Sequence, residues 1–157
     1  MGIANDTLVL VTDGRKMLFL RNAGDREHMN LEVEKKAARD DLPDRELSTD
    51  EPGSVFMSGS PGRSSYEETD FHQLEEDRWA HEAADRINAR ALDNDFDDLV
   101  IIAPPKTLGE LRKKLHKETQ ARLRLEIDKE MTNQPLAEIE KLIAEQTKVE
   151  GPPEVLT

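Results

Sequence analysis

The spacing of apolar residues changes several times along the chain, and each change marks an element. Thr7 to Val11 is an unbroken β-branched and leucine run, followed by Asp13-Gly14 and a second apolar run, Met17 to Leu20. An Asp-Gly pair between two such runs predicts a tight hairpin whose turn needs positive φ. Gly24 to Arg26 supplies another turn. Met29, Leu31 and Val33 then alternate with Asn30, Glu32 and Glu34, the period of two of a half-buried strand. Three antiparallel strands are expected to open the domain.

Residues 38–70 lack periodicity. They hold Pro43, Pro52, Pro61, Gly53, Gly59 and Gly62 among many Ser and Asp, and read as one long loop with Val55-Phe56-Met57 as a short apolar touch-point. Asp70, with Gln73 three residues on, reads as a helix N-cap. Behind it Leu74, Trp79, Ala80, Ala83, Ala84 and Ile87 form a stripe at helical spacing, ending around Leu92. That stripe, Trp79 included, is expected in the core.

Leu99 to Ala103 is continuously apolar, as in a strand covered on both faces, and Pro104-Pro105 stops it. Thr107 to Glu110 reads as a capping box opening a helix, with Leu108, Leu111 and Leu115 inward and Lys113, Lys114 and Lys117 in its last turns. Ala121, Leu123, Leu125 and Ile127 alternate with charged residues, predicting a strand with one wet face. Asn133 to Gln146 reads as a final helix with Pro135 in its first turn. The order βββ–αβαβα predicts an α/β fold: a mixed five-stranded sheet with helices on its faces, the element order of ribonuclease-H-like folds. Residues 1–146 are read as a single domain and 147–157 as a flexible tail.

Composition narrows the chemistry. At 157 residues the chain can bury a proper core. Cysteine is absent, which excludes disulfides, thiolate nucleophiles and Cys-ligated metals. No apolar run approaches the ~20 residues of a membrane span, and no basic start followed by an apolar stretch suggests export. A soluble, cytoplasmic protein without membrane contact is expected. The net charge of −12 opposes whole-surface attraction to nucleic acid. It is uneven, however: residues 106–129 are locally basic. Arg112, Lys113, Arg122 and Arg124 form a candidate RNA-facing patch there, although helix-end lysines are ordinary and no aromatic residues are interleaved for stacking.

Several stretches resemble the bacterial family required for attachment to host cells. They are Leu10 to Arg15, Pro52 to Phe56, Thr69 to Glu75, Phe96 to Pro105, Leu108 to Arg112 and Glu126 to Asn133. That family is similar to the middle domain of archaeal and eukaryotic peptide-chain release factors. There a Gly-Gly-Gln loop between the third strand and first helix reaches the peptidyl-transferase centre. The resemblance places Ser58 to Ser65 in that slot, with Arg63 where the Gln would stand and acidic Glu67, Glu68, Asp70, Glu75 and Glu76 where release factors are Arg-rich. It implies a release-factor-like domain without the release chemistry, engaging the ribosome, RNA or a protein, and affecting host attachment indirectly.

Four residues are the candidate binding elements of this region: Gly59, Gly62, Arg63 and His72. A flexible arm tipped by Arg suits phosphate or an acidic partner, and the same residues suit a plain solvated loop. The alternative function is a hydrolase of an ester such as peptidyl-tRNA, with Arg63 and His72 as the residues to test. A two-metal nuclease is not expected: Asp13 and Glu75 or Glu76 supply two carboxylates, but the central strand ends in Ala103-Pro104-Pro105. His72 and Glu76, four apart, lack a second close His, so no metal or other cofactor is expected.

Overall fold

The computed structural model describes residues 2–39 and 65–148. Strands β1 (Leu8–Thr12), β2 (Lys16–Asn22) and β3 (Leu31–Ala38) form an antiparallel meander. Helix α1 (Ser65–Leu92), β4 (Leu99–Ile102), α2 (Pro105–Lys114), the short α3 (Lys117–Arg122), β5 (Leu123–Ile127) and α4 (Leu136–Lys148) follow. The sheet order is β3-β2-β1-β4-β5, with β4 parallel to both β1 and β5.

Alternation along the two central strands divides the core. Leu8, Leu10, Leu99 and Ile101 face α1 and α2, packing with Trp79, Ala83, Ile87, Leu108 and Leu111. Val9, Val11, Val100 and Ile102 face the other way, onto Ile139, Leu142 and Ile143 of α4. Both β1 and β4 are therefore buried on both sides, as unbroken apolar runs require. Trp79 lies in this core, as its helical spacing predicted.

Local expectations fail in six places, each for a physical reason. The Asp13-Gly14 turn does not use positive φ at Gly14. Instead Asp13 Oδ1 accepts from the main-chain N–H of Arg15 and of Lys16, both at 2.8 Å, so the side chain closes the turn. Gly14 is needed for a different reason: a Cβ there would sit 2.7 Å from Cγ and 2.8 Å from Cδ of Glu76. Gly14→Ala should therefore cost about 1–3 kcal/mol in overpacking. The double variant Gly14→Ala/Glu76→Ala should recover most of it in urea denaturation, and equal loss in both would disprove this contact as the cause.

In β3, Leu31 is buried but Val33 is 44% exposed. A bulge leaves Glu34 without a partner between the Phe19↔Lys35 and Leu20↔Val33 pairs, and the strand lies on the sheet edge, so its alternation does not translate into half-burial. Helix α1 begins at Ser65, not beyond Asp70, because nothing in Tyr66 to Thr69 breaks a helix; Gln73 Nε2 bonds forward to Asp77 Oδ1 at 2.9 Å instead of capping. Helix α2 begins at Pro105, not at a Thr107 cap. Proline's fixed φ and missing N–H suit the first helical position, and Thr107 is buried one turn in. Ala121 and Arg122 belong to α3, not to a strand, because His116 caps a short turn by accepting from Glu118 N–H at Nδ1. Pro135 stands just before α4, its carbonyl accepting from Ile139 N–H.

Among the described residues no helix is long and apolar enough to cross a membrane. Residues 40–64 and 149–157, which include Gly59, Gly62, Arg63, the apolar Val55-Phe56-Met57 and most of the expected tail, lie outside the described residues.

Candidate functional site

The carboxyl ends of β1, β4 and β5 lie along one edge of the sheet, as does the end of β3, where Arg39 N–H donates to Arg15 O at 2.9 Å. Glu76 of α1 lies against Gly14 on this same edge. Residues 65–75 of α1 therefore continue past it, by roughly 16 Å at the helical rise of ~1.5 Å per residue. Phe71 and Leu74 on those turns are 41% and 46% exposed, consistent with a segment beyond the core.

Two stretches far apart in sequence meet at the edge. Thr132 Oγ1 donates to Asp13 Oδ2 at 2.5 Å, and Lys16 Nζ donates to Asn133 Oδ1 at 2.6 Å. Burial pushes the Asp13 carboxyl up. The Thr132 hydroxyl, the N–H groups of Arg15 and Lys16, and the hydrogen bond shared with Glu130 outweigh it and hold Asp13 below its ordinary value. Asp13 is thus an ionised clamp joining the β1–β2 turn to the β5–α4 loop. Of the nuclease carboxylates, Glu76 packs beside the Asp13-Gly14 turn and Glu75 pairs with Arg78 at 3.2 Å. No group of three His or carboxylate side chains is placed to hold a metal ion among the described residues.

His72 is exposed on the projecting turns of α1, its ring edge-on to Phe71 at 6.0 Å. His81 is elsewhere, its Nε2 2.9 Å from Glu110 Oε1 between α1 and α2. The four basic residues predicted as a patch are spread over α2, α3 and β5, and each has an acidic partner. Arg112 pairs with Glu126 at 2.6 Å, Lys113 with Glu110 at 2.8 Å, Arg122 with Glu118 at 3.1 Å and Arg124 with Asp98 at 2.6 Å. Arg122 also donates to Phe96 O and Asn94 Oδ1, and so works as a strut under the β4 entry.

Sequence reasoning missed two groupings. At the opposite edge, Arg21, Glu34, Arg90 and Asp95 alternate in charge and link β2, β3, α1 and the loop after it, with contacts of 2.6–3.2 Å. Burial opposes the ionised forms of Glu34 and Asp95, but Arg21 and Arg90 hold both carboxyls below their ordinary values. At the edge that carries Asp13, Arg15, Lys16 and Arg39 meet, with Lys36 diagonal to Lys16 on one face of β3 and Lys35 on the other. The only signal for either grouping was the hairpin pairing itself.

These depressed carboxyls predict a pH dependence. Unfolding returns Asp13, Glu34 and Asp95 to ordinary values of 3.8, 4.5 and 3.8, so the unfolded chain binds protons first as pH falls. The stability they add is complete above those values and is lost as the folded carboxyls protonate below them. Urea midpoints should be flat from about pH 7 to about pH 5.5 and fall below about pH 4.5. A midpoint that rose in that acidic range would contradict the assignments.

No curated protein matches the chain. Residues 6–143 match one family model, and the chain belongs to that family: bacterial archaeo-eukaryotic release factor family 12.

Proposed function

We propose that this protein is a cytoplasmic, release-factor-like binding or regulatory module that engages the ribosome, RNA or a protein partner, and that any effect on host attachment is indirect. The family match over residues 6–143 carries this reading. It is supported by the placement of Arg39 and Ser65, which flank the stretch holding Gly59, Gly62 and Arg63. Arg39 is bonded to the β1–β2 turn, and Ser65 opens the part of α1 that runs past the same edge. In the release factors that the sequence resembles, this slot carries the catalytic loop. Arg63 in place of Gln, followed by an acidic stretch, favours binding over release chemistry.

Hydrolysis of an ester such as peptidyl-tRNA is the second reading, favoured by exposed His72 on the projecting turns beside that slot. Peptidyl-tRNA turnover by the wild type, Arg63→Ala and His72→Ala separates the two. The module reading expects no turnover by the wild type. Turnover that disappears in both variants would replace it with the hydrolase.

A further inference from the structure

The basic residues without an acidic partner among the described residues are not those grouped by sequence. Register places Lys16 opposite Ala38 and Lys36 opposite Leu18, which makes Lys16 and Lys36 diagonal neighbours across the β2–β3 pair. Lys35 stands opposite Phe19 and so leaves the other face of this edge strand, and Arg39 is tied by its main chain to Arg15. Arg15, Lys16, Lys35 and Lys36 are all exposed, on an edge strand and its adjoining turn.

Two of the nearby acids are committed elsewhere. Asp13 is engaged by Thr132 and two main-chain N–H groups, and Glu34 lies between Arg21 and Arg90. Arg15, Lys35, Lys36 and Arg39 have no acidic partner among the described residues, and Nε of Arg39 is buried without a hydrogen bond among them. The contrast with Arg112, Lys113, Arg122 and Arg124, each held by a carboxylate, decides between the two surfaces.

We infer that the corner formed by Arg15, Lys16, Lys35, Lys36 and Arg39 is an RNA-binding surface that grips the phosphate backbone. This rests on the ribosome or RNA reading above and names the surface that serves it. Lysine ammonium groups and arginine forks on a strand edge contact phosphates without reading bases, so binding is independent of sequence and steeply salt-dependent. The net charge of −12 lowers the affinity at low salt, because the rest of the molecule repels the same ligand.

The test is fluorescence anisotropy of a labelled oligouridylate of about 15 nucleotides, titrated at several salt concentrations. Lys35→Ala/Lys36→Ala should weaken binding about tenfold and lower the log–log salt slope by about 1.4, two phosphate contacts at ~0.7 each. Arg15→Ala, on the turn and not in a strand, should weaken it in the same sense. Arg112→Ala/Arg124→Ala should bind within about twofold of wild type. An unchanged affinity in the β3 and turn variants, or an equal loss in Arg112→Ala/Arg124→Ala, overturns the assignment. Sedimentation with purified bacterial ribosomes is run alongside. If the ribosome retains wild type and Lys35→Ala/Lys36→Ala equally, this surface is wrong and the module reading stands. If it retains neither and the oligonucleotide is not bound, this surface and the ribosome or RNA reading both fail, which leaves a protein partner.

Discussion

Replacing Asn22 by Leu should destabilise the protein by on the order of 3–5 kcal/mol, a large part of the ~5–15 kcal/mol that holds a domain folded. Asn22 closes β2 and is fully buried. Its Nδ2 donates to Ile3 O at 3.0 Å and Ala4 O at 3.1 Å, while Oδ1 accepts from Gly24 N at 3.0 Å and Asn30 N at 2.9 Å. All four hydrogen-bonding positions of the amide are used, and they join the N-terminal segment to the β2–β3 turn. Leucine fills a similar volume but leaves two carbonyls and two N–H groups without that partner.

A Cβ on Gly24 would lie 1.9 Å from His28 O, so the turn that Asn22 holds is closely packed on itself. Asn22→Asp is the informative control. It keeps an acceptor for Gly24 and Asn30 but turns a carboxylate oxygen toward the Ile3 and Ala4 carbonyls. Its loss in urea denaturation should shrink as pH falls and the carboxyl becomes a donor. A loss below about 1 kcal/mol for Asn22→Leu would show that the segment is held by other contacts.

Trp79→Ala should cost about 3–5 kcal/mol, the range for deleting a large aromatic side chain from a core. Trp79 is 3% exposed and packs with Met17, Phe19 and the alanines of α1 over the central strands. Small residues at Ala80, Ala83 and Ala84 let the helix approach the sheet, so the space left by the indole has no larger neighbour on α1 to fill it. Trp79→Phe separates area from polarity. The buried indole N–H has no hydrogen-bond partner among the described residues, so its removal sacrifices no bond. The Phe variant should lose less than about half of what the Ala variant loses. Equal losses would mean that the N–H is bonded after all, and comparable stability of Trp79→Ala and wild type would remove Trp79 from the core.

Much of the architecture was legible because it rests on burial, which leaves a periodic trace. The run Thr7 to Val11 identified the first strand, Leu99 to Ala103 identified a strand covered on both faces, and the Trp79 stripe identified the inner face of α1. Boundaries set by local bonding were harder to see. Proline at the first turn displaced the Thr107 capping box, and His116 capped a short helix where alternation at Ala121 suggested strand. Gly14 shows the same limit: Asp-Gly marked the turn correctly, yet the Asp13 side chain shapes it and Glu76, 62 positions on in sequence, explains the glycine.

The site was less legible because its residues meet only through long-range pairing. A basic stretch in sequence, Arg112 to Arg124, turned out to be interleaved with Glu110, Glu118, Glu126 and Asp98 in space. Nothing in the sequence singles out Lys36; only the β2–β3 register sets it diagonally across from Lys16. Sequence density of charge is therefore a poor guide to field, since short-range ion pairs cancel it within a few ångströms.

Co-sedimentation of the purified protein with bacterial ribosomes, at low and at physiological salt, decides whether this domain engages the ribosome. A release-factor-like module is expected in the ribosomal pellet at low salt and partly released at physiological salt, without turnover of peptidyl-tRNA. Its absence from the pellet at both salts would contradict ribosome engagement and direct the search to a protein partner.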